Sequence, residues 1–139
     1  MGVVCMCKCS PKMILGWCLL LPLVAQADAV SGLLTEYEQA GAQNFSAAAG
    51  EALWRQRFSD AESGQERGCS DCHTDDLRQA GKHARTGKRI EPMAPSVNPD
   101  RFTDSAKIEK WFLRNCKWTL GRTCTPQEKG NLLTFLKDQ

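Results

Sequence analysis

Cys69-Ser70-Asp71-Cys72-His73 is the stretch of this chain whose reading governs everything around it. Two cysteines separated by two residues, with a histidine directly behind the second, form the pattern by which a haem is attached to protein. The spacing carries the chemistry. Two intervening residues match the separation of the vinyl groups to which the thiols add, and the next side chain is brought under the iron. A neutral imidazole binds there through Nε2, with a backbone carbonyl expected on its other nitrogen. The pentapeptide thus implies one covalently bound haem c, with Cys69 and Cys72 as thioether sites and His73 as an axial ligand.

The start of the chain has the form of a secretory leader. Lys8 and Lys12 precede an apolar run from Met13 to Val24, which closes on Ala25-Gln26-Ala27. The run is too short to span a bilayer as a mature helix. The expectation is a signal peptide over residues 1–27 and a single periplasmic domain over residues 28–139, a retained anchor being the alternative. The leader takes two lysines and no acid with it, so the formal charge of +2 falls to zero. Haem propionates would tip the balance to the acidic side, which speaks against nucleic acid as a partner.

Cysteine usage changes in the same way, because Cys5, Cys7, Cys9 and Cys18 lie in the leader. Cys69, Cys72, Cys116 and Cys124 remain, and in an exported chain they divide into two thioethers and one bridge. A zinc site built from the same four fits an oxidising compartment badly. A thioredoxin-like pair needs an alternating strand and helix context that the pattern lacks.

The mature chain reads as helices joined by irregular loops, since no alternating run is long enough for a strand. One amphipathic piece covers about Ser31 to Ala40. Another starts at Ser46, an N-cap residue, and carries Ala49, Leu53, Trp54 and Phe58 at helical spacing. Asp60 to Gly68 is polar and loop-like, and Pro92, Pro95 and Pro99 argue against helix in the segment they occupy. Thr103 or Asp104 caps a helix reaching Asn115. Thr125-Pro126-Gln127-Glu128 is a capping box opening a terminal helix with Leu132, Leu133, Phe135 and Leu136.

The second side of the iron is open to several readings. The segment from Cys116 to Thr125 contains no methionine, and Met93 lies only twenty residues after His73, where it can equally pack against the haem or its loop. His83 sits in a basic stretch and reads as a surface histidine. Asn115 follows Ile108, Trp111 and Phe112 at i, i+3, i+4 and i+7, which places it on a core-facing stripe, although a helix-terminal asparagine can also be a C-cap.

Ala49-Gly50-Glu51-Ala52-Leu53-Trp54 resembles the N-terminal helix of class I cytochromes c, in which glycine admits the C-terminal helix and the aromatic residue packs on it, with Phe135 a suitable partner. The fold implied is all-α, with helices wrapped around one haem. A narrower resemblance rests on Thr86-Gly87-Lys88, Ala94-Pro95-Ser96, Arg101-Phe102-Thr103-Asp104, Glu109-Lys110-Trp111, Arg114-Asn115-Cys116 and Gly121-Arg122-Thr123-Cys124-Thr125. These are similar to segments of the sphaeroides haem protein family, and the likeness runs from about Leu33 to Leu136. The resemblance implies asparagine, here Asn115, as sixth iron ligand and a disulfide between Cys116 and Cys124. It also implies loss of the asparagine on reduction, binding of dioxygen or nitric oxide, and a dihaem cytochrome c and a membrane cytochrome b as redox partners.

The leading expectation is therefore a periplasmic haem protein that opens its distal site when reduced and binds a diatomic gas. A plain electron carrier with histidine and methionine ligands is the alternative, and a small oxygen or nitrogen-oxide reductase is a third, without a visible distal acid or base. The run from Arg78 to Arg89 holds five cations and no acid, a pattern of a solvated face, of a docking surface for an acidic partner, or of cations placed near the haem propionates.

Overall fold

The computed structural model describes residues 24–61 and 63–139. Most of the leader, residues 1–23, lies outside the described residues. Helix α1 spans Val24–Gln39, α2 Ala47–Arg55, α3 Ser70–His73, α4 Ser105–Leu120 and α5 Pro126–Leu136. Two small antiparallel hairpins pair β1 (Phe58–Ser59) with β2 (Glu66–Arg67), and β3 (Gly81–Lys82) with β4 (Arg89–Ile90).

The hairpins are the main departure from the helix-and-loop expectation. Each ladder is only two residues long, far below the length at which alternation can be recognised in a sequence. What makes them is the turn between: Gly64 and Gly87 adopt φ of +68° and +69°, and Asp60 Oδ1 accepts from the Ser63 amide at 2.8 Å. The helix expected from Ser31 begins earlier, at Val24, because the preceding alanine-rich residues contain no breaker. Phe58 leaves the helical face assigned to it, since α2 ends at Arg55 and Phe58 joins β1, while Ala49 is exposed.

Helix ends follow local chemistry. Ser46 caps α2 by accepting from the Ala49 amide, and Asp104 caps α4 by accepting from Lys107. Thr125 and Glu128 form the reciprocal box at the start of α5, with Pro126 in its first turn. Gly121, at φ +71°, terminates α4 in the left-handed conformation.

Helices α2 and α5 cross in close contact. An added methyl on Gly50 would stand 2.6 Å from the carbonyl carbon of Asn131 and 2.8 Å from Cβ of Phe135, so hydrogen is the only side chain the crossing admits. Asn131 Oδ1 accepts from the Ser46 amide at 2.9 Å, and Trp54 meets Phe135 with ring centroids 6.4 Å apart. The interior has two parts. Val30, Leu33, Tyr37 and Ala42 pack with Ile108 and Leu133, joining α1 to α4 and α5. Trp54, Leu77, Ala94, Leu132 and Leu136 form the second part, fringed by Leu53, Cys69, Met93 and Phe135. Phe102 and Phe112 touch both. At the edge of the first part Tyr37 donates its hydroxyl to Glu109, whose other oxygen accepts from Lys129 Nζ at 2.6 Å.

Candidate haem-attachment site

The attachment residues sit on a single helical turn held from outside. Cys69 precedes α3, and the His73 amide donates back to the Cys69 carbonyl at 3.2 Å. Asp71, a spacer between the cysteines, accepts from the Gly68 amide at 2.8 Å through one oxygen and pairs with Arg57 through the other. Arg57 in turn donates to the Glu66 carbonyl at 3.2 Å, so the turn is fastened to the first hairpin. Thr74 leaves the turn at φ +66°, a conformation costly for a β-branched residue, which ends the helix sharply after His73.

Cys69 and Cys72 are free thiols, both half-buried, whereas Cys116 and Cys124 are joined by a disulfide with Cα atoms 5.6 Å apart. That bridge takes away two of the four thiolates a zinc site would need. Burial pushes the Cys69 thiol up to about 11. Burial first, and then the positive charge of Arg101, push the His73 imidazole down to about 4, so the ring is neutral near pH 7 and keeps a lone pair for metal. The expected backbone carbonyl at its Nδ1 is not found. The ring lies instead against Trp54, centroids 5.5 Å apart, and among the described residues neither His73 Nδ1 nor Trp54 Nε1 has a hydrogen-bond partner.

Met93 is half-buried in the same apolar wall as Trp54, Leu77 and Cys69, its amide donating to the Leu77 carbonyl at 2.9 Å. The loop that carries it is clamped by Arg101, which donates to the carbonyls of Pro92, at 2.7 Å, and Glu91. Asn98 Nδ2 adds a second donor to Pro92 at 3.0 Å. In the sequence Arg101 stands out only as part of the family resemblance. Its carbonyl partners are ten residues away or less, but no local pattern announces them. His83 is exposed, and its Nδ1 accepts from the Arg85 and Thr86 amides, which makes it a turn-forming residue.

Asn115 departs from both local expectations. Helix α4 continues to Leu120, so Asn115 is interior to it and the C-cap is Gly121. The anticipated stripe also splits: Ile108 is buried and Phe112 half-buried, together with Cys116 and Thr119, while Trp111 and Asn115 are exposed. The disulfide turns Cys116 inward, and neighbouring helical positions differ by about 100°, which carries Asn115 off that face. Asn115 thus lies between Trp111 and Trp118, 45% and 39% exposed, on one stripe of α4.

This stripe is tied to the attachment turn. Arg67, two residues before Cys69, donates to the Trp118 carbonyl at 3.0 Å, and its guanidinium lies 5.0 Å over the Trp118 ring while pairing with Asp60. Phe112, one turn before Asn115, packs on the wall that includes Cys69 and Met93. Two unlinked thiols at haem spacing, a neutral imidazole, an apolar wall and two indoles exposed beside an asparagine are a donor set and a surface that fit a covalently held haem.

A family model described as a domain of unknown function, DUF1924, matches residues 40–136. The chain is 43% identical over 121 residues to the cytochrome c-type protein SHP of Cereibacter sphaeroides, an alignment covering 85% of this chain and 90% of the relative. The structure of oxidised SHP, described as an oxygen-binding cytochrome c, matches with a TM-score of 0.69 over 78% of this chain and 95% of that one, at 43% identity. A solution structure of cytochrome c'' from Methylophilus methylotrophus, concerned with the basis of haem-ligand detachment, matches at 34% identity and a TM-score of 0.69, over 79% and 93% of the two chains. Attachment turn, apolar wall and relatives agree: the chain belongs to the sphaeroides haem protein family of c-type cytochromes, all-α proteins of the class I type whose cofactor is one covalently bound haem c.

Proposed function

We propose that this is an exported, periplasmic cytochrome in which Cys69 and Cys72 carry the thioethers, His73 is the fifth ligand and Asn115 the sixth. Asn115 holds the distal side in the oxidised protein and withdraws on reduction, giving dioxygen or nitric oxide access. A dihaem cytochrome c and a membrane cytochrome b are the proposed electron partners. The haem supplies one-electron chemistry and the coordination position that Asn115 guards.

The observation that carries this reading is the placement of Asn115 between two exposed tryptophans on a helix fixed at its far end. The Cys116–Cys124 bridge and the Arg67 contact at Trp118 hold that end of α4, so Asn115 is carried on a fixed stretch of backbone. A carboxamide oxygen is a hard and weak donor, better matched to ferric than to ferrous iron. Taking Asn115 from almost fully bound to almost fully free requires its affinities for the two oxidation states to differ by about 5.5 kcal/mol. Export is supported by the leader pattern, and among the described residues no helix is long and apolar enough to cross a membrane. Two relatives support the gating: one is described as oxygen binding, the other in terms of haem-ligand detachment.

A second reading, a carrier with His73 and Met93 as ligands, draws on the position of Met93 in the wall beside Cys69. Oxidised and reduced absorption spectra of the parent, Asn115→Ala and Met93→Leu proteins separate the two. Asparagine ligation predicts that Asn115→Ala alters the oxidised spectrum, leaves the ferrous protein's nitric oxide binding intact, and that Met93→Leu changes neither. An oxidised spectrum indifferent to Asn115→Ala and altered by Met93→Leu would establish the carrier instead.

A further inference from the structure

The β3–β4 hairpin stands directly on the attachment turn. A methyl group on Gly81 would meet the Cys72 carbonyl carbon at 2.9 Å and the His73 Cα at 3.0 Å, so the hairpin backbone passes in contact with the turn. The Ala84 amide donates to Cys72 Sγ at 3.3 Å. The loop is firmly built: the His83 amide donates to the Lys88 carbonyl at 2.8 Å, the Gly87 amide to the His83 carbonyl at 2.9 Å, and His83 Nδ1 accepts from two further amides.

On that fixed backbone Arg78, Lys82, Arg85, Lys88 and Arg89 are all exposed, with no acidic residue between Leu77 and Ile90. Arg89 pairs with Glu91 at 2.9 Å. The other four have no acidic partner among the described residues. Like charges concentrated on one loop repel each other, and no carboxylate of the described residues neutralises these four. Here the excess is left facing solvent, beside one of the two sulfurs through which the haem joins the chain.

We infer that this hairpin is the docking surface for the acidic face of an electron-transfer protein, which delivers its electron at the Cys72 side of the haem. The inference rests on thioether attachment at Cys72. The partner's reduced centre loses one electron and the ferric haem gains it. Complementary charge raises encounter rates by about 10- to 1,000-fold at low salt, and screening removes the effect over distances beyond about 10 Å at 0.1 M salt.

The test is stopped-flow reduction of the intact holoprotein and its Arg85→Glu/Lys88→Glu variant by reduced flavodoxin, an acidic protein reductant, and by reduced lumiflavin, a small flavin with no protein surface to dock. The variant should be reduced at least about tenfold more slowly by flavodoxin at low salt. Its rate should depend less on ionic strength, while its lumiflavin rate, redox potential and spectrum match the parent. Equal slowing by both reductants, or by neither, would overturn the assignment. So would loss of sedimentation with phosphatidylglycerol vesicles alongside an unchanged flavodoxin rate, which would make the hairpin a lipid-binding element. Attachment is checked separately: haem extracted from the parent by acid acetone would remove the thioether premise, whatever the rates.

Discussion

Replacing Gly50 with alanine adds one methyl group at the crossing of α2 and α5, where it would lie 2.6 Å from the carbonyl carbon of Asn131 and 2.8 Å from Cβ of Phe135. Ordinary contact begins near 3.4 Å, and the obstructing atoms are backbone and Cβ, not the mobile end of a side chain. The helices must therefore separate. Overpacking of this kind costs about 3 kcal/mol, at the upper end of the usual range, and the better helix propensity of alanine returns about 1 kcal/mol. A net loss of about 2 kcal/mol lowers the melting temperature of a domain this size by about 8–15 °C. Trp54 is also on α2, against both Phe135 and His73, so the Soret band should shift as the crossing opens. Gly32→Ala is the matched control: it lies within α1, nothing stands within 4 Å of its added methyl, and it should gain up to about 1 kcal/mol. Thermal melts followed by far-UV circular dichroism give both values. A Gly50→Ala protein melting within two or three degrees of the parent would refute the close-crossing argument, as would two variants moving in the same direction.

Converting Cys116 and Cys124 to serine opens a loop of nine residues and should cost on the order of 2.5 kcal/mol in urea unfolding. Because the bridge adjoins Asn115, the same protein should also show a more labile oxidised spectrum. Glu128 offers a pH test. Arg122 first, with the Thr125 amide, holds its carboxyl down to about 2, so its contribution is complete above the unfolded carboxyl value near 4.3 and is lost as pH falls toward 2. Solvent screening of the partly exposed pair holds that contribution to about 1 kcal/mol. Glu128→Gln retains the capping geometry, so it should be less stable than the parent at pH 7 and equal to it near pH 2 by urea titration.

The helices and the attachment turn were legible because their signals are local. A capping side chain three residues ahead of its amide, a proline in the first turn and a fixed spacing of two thiols and an imidazole each declare themselves within a few positions. Gly50 and Trp54 could be assigned to the crossing only through likeness to a known helix, since nothing local says what approaches them. The short hairpins were hidden for the opposite reason. Two-residue ladders have no periodicity, and a single glycine such as Gly64 or Gly87 in a polar stretch marks a turn without naming the residues that pair across it. Asn115 shows where a periodic argument fails: a stripe drawn through Ile108 and Phe112 admits either neighbour, and a disulfide formed with Cys124, eight positions on, decides which side turns inward. The clamp by Arg101 on two carbonyls nine and ten residues back, and the contact of Arg67 with Trp118 fifty-one residues on, join side chain to backbone carbonyl, for which sequence patterns hold no signal.

The spacer between the cysteines has a practical meaning for anyone wishing to transplant the haem-binding segment. In a minimal view any two residues serve between the thiols, yet Asp71 is the latch that fastens the turn to Gly68 and Arg57. Grafting the pentapeptide onto a designed bundle would carry the reactive groups and leave the latch's strike plate behind. A scaffold supplying an arginine in the place of Arg57 would hold the loop ready for ligation before the cofactor arrives, whereas one without it would have to order those residues during the reaction.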